Sequence, residues 1–266
     1  MRHLTMPELC REASVPASVR SHARFAIKRA IAAVACFVAL ASEARPDSNL
    51  NSAWRTIMAG ALESAARAKP LEAREQLLKA LEVSSRIGRE SIEFGLSLAH
   101  LGSVSQTLGL FDDADHYYQR ALPVFEKPLP AYRVARQRTL LHMLSLYLEC
   151  RLVAHSERIA ARLAAEFPGL PDAGSVAAAE FLTHLASISY QKREYERAED
   201  LYRRALGNWN RISTVRGLEC ASGLNQLALL EWKAGRGEQA LSHLEEAAEI
   251  HDRSPGSDRW DPAKVL

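Results

Sequence analysis

The stretch LTHLASISYQKREYERAEDLYRRAL (182–206) decides the fold. Apolar residues recur at helical spacing through residues 175–193, and the pattern restarts after a short break near Glu194 and Tyr195. In the second run Tyr195, Ala198, Leu201, Tyr202 and Ala205 form one stripe, with Arg and Glu on the other face. Two antiparallel helices joined by a tight turn are therefore expected. The same signature stands 84 residues earlier, in LAHLGSVSQTLGLFDDADHYYQRAL (98–122).

Between and beyond these two copies the chain repeats every 42 residues without a gap. Leu98, Leu140, Leu182 and Leu224 form one column, and Leu101, Met143, Leu185 and Leu227 a second. Phe111, Val153, Tyr195 and Gly237 form a third, and Ala114, Ser156, Ala198 and Ala240 a fourth. Tyr118, Ala160, Tyr202 and Leu244 follow, then Ala121, Leu163, Ala205 and Ala247. An earlier unit fits with a slip of one residue at Ala61, Ala73, Leu77 and Ala80. Alanine at fixed points lets helices of neighbouring units approach to about 8–10 Å, while Leu and Tyr fill the grooves. Each unit then packs on its neighbours alone.

The arrangement L-x-x-L-[AG] … G-x-[YF]-x-x-A-x-x-x-Y-x-x-A-L resembles the tetratricopeptide repeat, and the 42-residue period resembles its kinesin-light-chain type. The resemblance covers roughly residues 54–252. It implies an all-α, right-handed superhelical solenoid of about five helix-turn-helix hairpins. The units are expected at about 54–94, 95–136, 137–178, 179–220 and 221–252, behind a linker at 45–53 and before a tail at 253–266. The third unit is degenerate, with Leu144, Ser156 and Leu163 in small-residue columns, and Gly237 replaces an aromatic in the fifth.

Residues 1–44 read differently. Six basic residues precede the apolar run AIAAVACFVALA (30–41), and small residues follow it. This is the pattern of a secretory signal. The run is shorter than the roughly 20 residues that span a bilayer. An exported protein is expected, with a membrane anchor or an ordinary helix as the alternatives. Loss of 1–44 removes six basic and three acidic residues, leaving 28 against 29, net −1. The whole chain carries +2 over 266 residues. Neither balance suits a general nucleic-acid binder. Cys150 and Cys220 lie in the helical pattern without C-x-x-C spacing and read as buried apolar residues.

His100, His142 and His184 occupy one repeat position, one residue before the core column. They form a row, whereas zinc needs its ligands about 2 Å from one point. Neither metal binding nor catalysis is expected, and no cofactor. There is no G-x-x-x-x-G-K-[ST], H-E-x-x-H or G-x-G-x-x-G motif. Two readings of the column remain: packing on a half-buried helix face, or a polar ladder along a binding groove. The resemblance favours the ladder. It places first helices on the concave face, and in the kinesin-light-chain type the column is commonly an asparagine that binds the main chain of an extended peptide. Here the column is His100, His142, His184 and Gln226, each able to donate and accept. Histidine would add pH sensitivity. Ser103, Ser145 and Ser187 share the face, or bond back to their own helix, with Tyr190 and Trp232 as apolar anchors or as packing between units, and Arg138, Asn225 and Lys233 as further polar contacts. The expected function is a non-enzymatic scaffold or adaptor that binds a protein or extended peptide. The rivals are a self-associating assembly factor of the cell envelope and a cytoplasmic regulatory adaptor. The charged face of the second helices is expected to be solvated, and Trp260 to cap the last helix.

Overall fold

The structure is a computed structural model that describes residues 48–172, 174–212 and 218–253. The expected export signal and Trp260 lie outside these residues. Among the described residues there are ten α-helices, one short 3-10 turn and no strand. They fall into two compact units, one ending at Cys150 and one beginning at Arg151. The division falls inside the degenerate third repeat. No described helix is long and apolar enough to cross a membrane.

The first unit contains α1 (Ser48–Ala66), α2 (Pro70–Ile87), α3 (Ile92–Thr107), α4 (Phe111–Val124) and α5 (Pro130–Glu149). Hairpins α1/α2 and α3/α4 stack through α2 against α3, and α4 packs on α5. Helix α1 begins at Ser48, so residues 48–53, expected as linker, are helical. The extra turn brings Trp54 into the core, where its Nε1–H donates to Ser97 Oγ at 2.9 Å. The second unit contains α6 (Val153–Glu166), a 3-10 turn (Leu170–Asp172), α7 (Val176–Gln191), α8 (Tyr195–Arg211), α9 (Leu218–Lys233) and α10 (Gly237–Arg253). Here α7/α8 and α9/α10 are hairpins, α6 packs on α7, and α8 packs on α9.

The small-residue columns lie where helices meet. Ala73, Ala114, Ser156, Ala198 and Ala240 are all buried, as are Ala80, Ala121, Leu163, Ala205 and Ala247. The third column departs from expectation. Phe111, Val153 and Gly237 are only half-buried, and Tyr195 is 40 % exposed. This position opens the second helix, where the side chain projects beside the turn instead of into the hairpin.

The turns share a device that the sequence hides. Ala68, Gly109, Arg151, Arg193 and Gly235 all have positive φ, between 55° and 76°. They keep the repeat spacing, one residue short at the first step. At four of them, the N–H of the positive-φ residue bonds three residues back and the next N–H bonds five back, as in Leu110 to Ser105 and Glu194 to Ser189. This is the Schellman motif, which satisfies the last carbonyls of the first helix. The second of those residues, as Leu110 or Glu194, then accepts the first bond of the next helix, from Ala114 or Ala198. Two residues thus end one helix and start the other.

Candidate functional site

The four residues of the expected ladder, His100, His142, His184 and Gln226, are all half-buried on first helices. The next residue is buried in three of the hairpins, as Leu101, Met143 and Leu227, and Leu185 is half-buried. His100 borders a narrow apolar crevice lined by Ala61, Leu62, Ala65, Leu77 and Val104. Burial, and then the positive charge of Arg138, lower its pKa to about 4. The ring is therefore neutral at physiological pH, with one donor and one acceptor. The pH sensitivity expected of this column does not fall between pH 5 and 8 at His100. The His142 ring stacks on Tyr118, with centroids 6.1 Å apart and planes 4° from parallel.

Of the two readings of the serines, Ser187 follows the bond back to its own helix. Ser187 Oγ donates to Thr183 O at 3.0 Å and lies 3.0 Å from the Tyr202 hydroxyl. A side-chain hydrogen bond also links Ser103 and Tyr118. Wherever Ser and Tyr occur in one hairpin, they join its two helices. Burial pushes Tyr202 up to about 12 and Tyr118 well above the usual tyrosine range, so both remain neutral donors. Ser145 lacks such a tyrosine, because its repeat has Ala160 there. Its hydroxyl instead lies 3.4 Å from Glu149 Oε1.

Ser145 belongs to a polar cluster that joins α3, α4 and α5. The Tyr118 hydroxyl donates to Gln106 Oε1 at 3.2 Å, and Gln106 Nε2 donates to Glu149 Oε1 at 2.8 Å. Burial raises the Glu149 carboxyl to about 7, against the opposing hydrogen bonds from Gln106 and Ser145. Sequence reasoning missed Glu149. The signal was spacing: Trp54 to Ser97, Gln106 to Glu149 and Tyr190 to Lys233 all bond at a separation of 43 residues, one more than the repeat.

In the second unit Lys233 Nζ donates to the Tyr190 hydroxyl at 2.7 Å and sits 5.0 Å and 5.8 Å from the Tyr190 and Tyr195 ring centroids. The hydrogen bond with Tyr190 holds the ammonium above the usual lysine range. Tyr190 is thus a contact between hairpins rather than an open anchor. Asn225 Oδ1 is shielded from solvent and has no hydrogen-bond partner among the described residues. Trp232 is 67 % exposed. The charged face of the second helices is not simply solvated either. Arg236 bonds Glu199 at 2.6 Å across hairpins, and the Glu231 side chain, 1 % exposed, takes His243 at 2.8 Å. Among the described residues, no three His, Cys, Asp or Glu side chains come together as metal ligands. Cys150 and Cys220 are buried and not in a disulfide.

Models of the tetratricopeptide repeat match residues 182–211 and 220–258, the α7/α8 and α9/α10 hairpins. The chain carries tetratricopeptide repeats over these residues. Solved structures extend the likeness across the repeats. BtubC (BKLC) from P. vanneervenii is 21% identical, with a TM-score of 0.53 over 80% of this chain and 79% of that one. The kinesin light chain TPR-like repeats of Podosopora anserina are 16% identical, with a TM-score of 0.55 over 77% of this chain and 98% of that one. The apo form of RapI is 15% identical, with a TM-score of 0.56, and this chain spans 55% of its length. At such identities the likeness concerns the fold, an all-α helical-repeat solenoid. No curated protein matches in sequence.

Proposed function

We propose that this tetratricopeptide-repeat protein is a non-enzymatic adaptor that binds an extended peptide segment of a protein partner along its first helices. One observation carries the reading. Each of the four 42-residue repeats places a hydrogen-bonding side chain, half-buried, immediately before the core column: His100, His142, His184 and Gln226. Peptide N–H and C=O groups are suitable partners for imidazole and amide alike. The serines leave the proposed ladder, since their hydroxyls serve the hairpins. Arg138 and Asn225 remain beside it. The reading also keeps export of the mature domain as part of the proposal, on the N-terminal pattern.

The test is a selection of random displayed peptides on the full chain, followed by anisotropy titration of the peptides obtained. His184→Ala with Gln226→Ala should weaken binding at least about tenfold, or about 1.4 kcal/mol, with unchanged thermal stability. Unchanged affinity in that double variant would remove the ladder from the account.

A further inference from the structure

Glu149 carries a charge that its contacts in the first unit do not require. It ends α5, on a face that also presents Arg138, His142 and Ser145 at steps of four, three and four residues. This is the face of the proposed ladder. Glu149 is half-buried, and a single oxygen, Oε1, takes both of its contacts, Gln106 Nε2 at 2.8 Å and Ser145 Oγ at 3.4 Å. Among the described residues Oε2 has no hydrogen-bond partner and no basic side chain pairs with the carboxylate, and Oε2 is not sealed from solvent. Joining α3 to α5 needs the first oxygen alone. A glutamine would accept the same bonds with no charge to desolvate. The stack does not call for an acid either, since Thr107, Gln191 and Lys233 stand at the same repeat position. Arg138 lies about 16 Å back along α5. That exceeds the ionic screening length of about 8 Å at physiological salt.

We infer that Glu149 receives a lysine or arginine side chain of the bound segment, with Oε2 as the acceptor. The inference rests on the adaptor reading above and names what the partner carries at this point. An ammonium or guanidinium supplies the countercharge through a charge-assisted hydrogen bond of about 2.7–2.9 Å. The state of the carboxyl agrees. Burial raises it to about 7 against the hydrogen bonds from Gln106 and Ser145, as expected of an acid with no cation beside it. The other titratable and charged groups lie on the helices packed here. On α3, burial and then Arg138 keep His100 neutral. On α4, Tyr118 stays protonated, and Asp115 takes the Tyr147 hydroxyl at 2.6 Å. On α5, the His142 ring stacks on Tyr118. A cation bound here therefore draws its proton change from Glu149.

The test uses the full chain. Random displayed peptides selected on it at pH 8 should share a Lys or Arg at one register. Changing that residue to Gln in a selected peptide should weaken binding at least about tenfold to the native chain, and less than about twofold to Glu149→Gln. The variant keeps an oxygen for Gln106, and the change on the peptide reads the site without perturbing the fold. Affinity of the native chain for the basic peptide should also fall about tenfold from pH 8 to pH 6, as a carboxyl at about 7 takes up its proton. Glu149→Gln should lose that dependence. Selected peptides with no basic residue in common, or an equal loss from the peptide change in both chains, overturn the inference and leave the adaptor reading standing. Failure to select any peptide overturns both.

Discussion

Replacing Gly95 by alanine tests the packing of the first unit directly. Gly95 is buried in α3, and a Cβ built there would stand 2.5 Å from Phe125 Cε1, 2.8 Å from Cζ and 3.0 Å from Val124 Cγ1. Phe125 is 1 % exposed and meets Tyr132 edge-on at 6.4 Å, so its ring has no free direction of retreat. Two effects oppose each other. Alanine in a helix interior gains about 1 kcal/mol over glycine. Overpacking a tight core costs about 1–3 kcal/mol. With the new atom nearly 1 Å inside ordinary contact with two ring atoms, the upper part of that range applies, and a net loss of about 1–2 kcal/mol follows. Gly207 is the control, because it lies in α8 with nothing within 4 Å of its would-be Cβ. There alanine should stabilise by about 0.5–1 kcal/mol. Hydrogen exchange resolved by helix is the suitable assay, since it reads each unit separately. Gly95→Ala should lower protection in α3 and α4, and Gly207→Ala should raise it in α8. Equal or greater protection of α3 in Gly95→Ala would refute the close approach.

Further outcomes are expected elsewhere. Arg193 holds φ 65° without being glycine, so Arg193→Gly should stabilise the second unit by about 0.5–1 kcal/mol in urea unfolding, while Gly235→Ala at φ 76° should cost about 1 kcal/mol. Ala198→Leu or Ala205→Leu, at fully buried contacts, should each cost about 1–3 kcal/mol by the same measurement. The pH response of the first unit should be split between two groups. Glu149, raised from 4.5 to about 7, favours the folded state below pH 4.5 and loses that benefit as pH rises to 7. His100, lowered from 6.5 to about 4, favours it above pH 6.5 and loses that benefit as pH falls to 4. The windows overlap and oppose. His100→Gln should therefore make the unit more stable at pH 5 than at pH 7, and Glu149→Gln should make it less stable at pH 5, both read from hydrogen-exchange protection. Mass analysis of the protein from its native source should show loss of residues 1–44 if the chain is exported.

The repeat was legible because it is written many times. A single alanine says little, but Ala114, Ala198 and Ala240 at a fixed period mark a contact between helices, and all are buried. The turn column escaped because Ala68, Arg151 and Arg193 replace the glycine that would have marked positive φ. Helix α1 starts earlier than its repeat pattern suggests because Trp54 has an internal partner in Ser97. For the site, the sequence located the polar columns and left the serines between the groove and their own helix. Whether a hydroxyl faces a groove or the second helix of its hairpin depends on a tyrosine 15 residues later, as for Ser187 and Tyr202. Glu199 looked like a surface charge because a helix wheel does not show the next hairpin, which supplies Arg236.

The most direct test of ligand binding along the first helices is ring-proton NMR of the full chain, whose nine histidines can be labelled selectively, during titration with a selected peptide. The account predicts that the His184 ring signals shift saturably with peptide, while His243, held by Glu231, stays unmoved. Saturable binding that leaves His184 unshifted would contradict it.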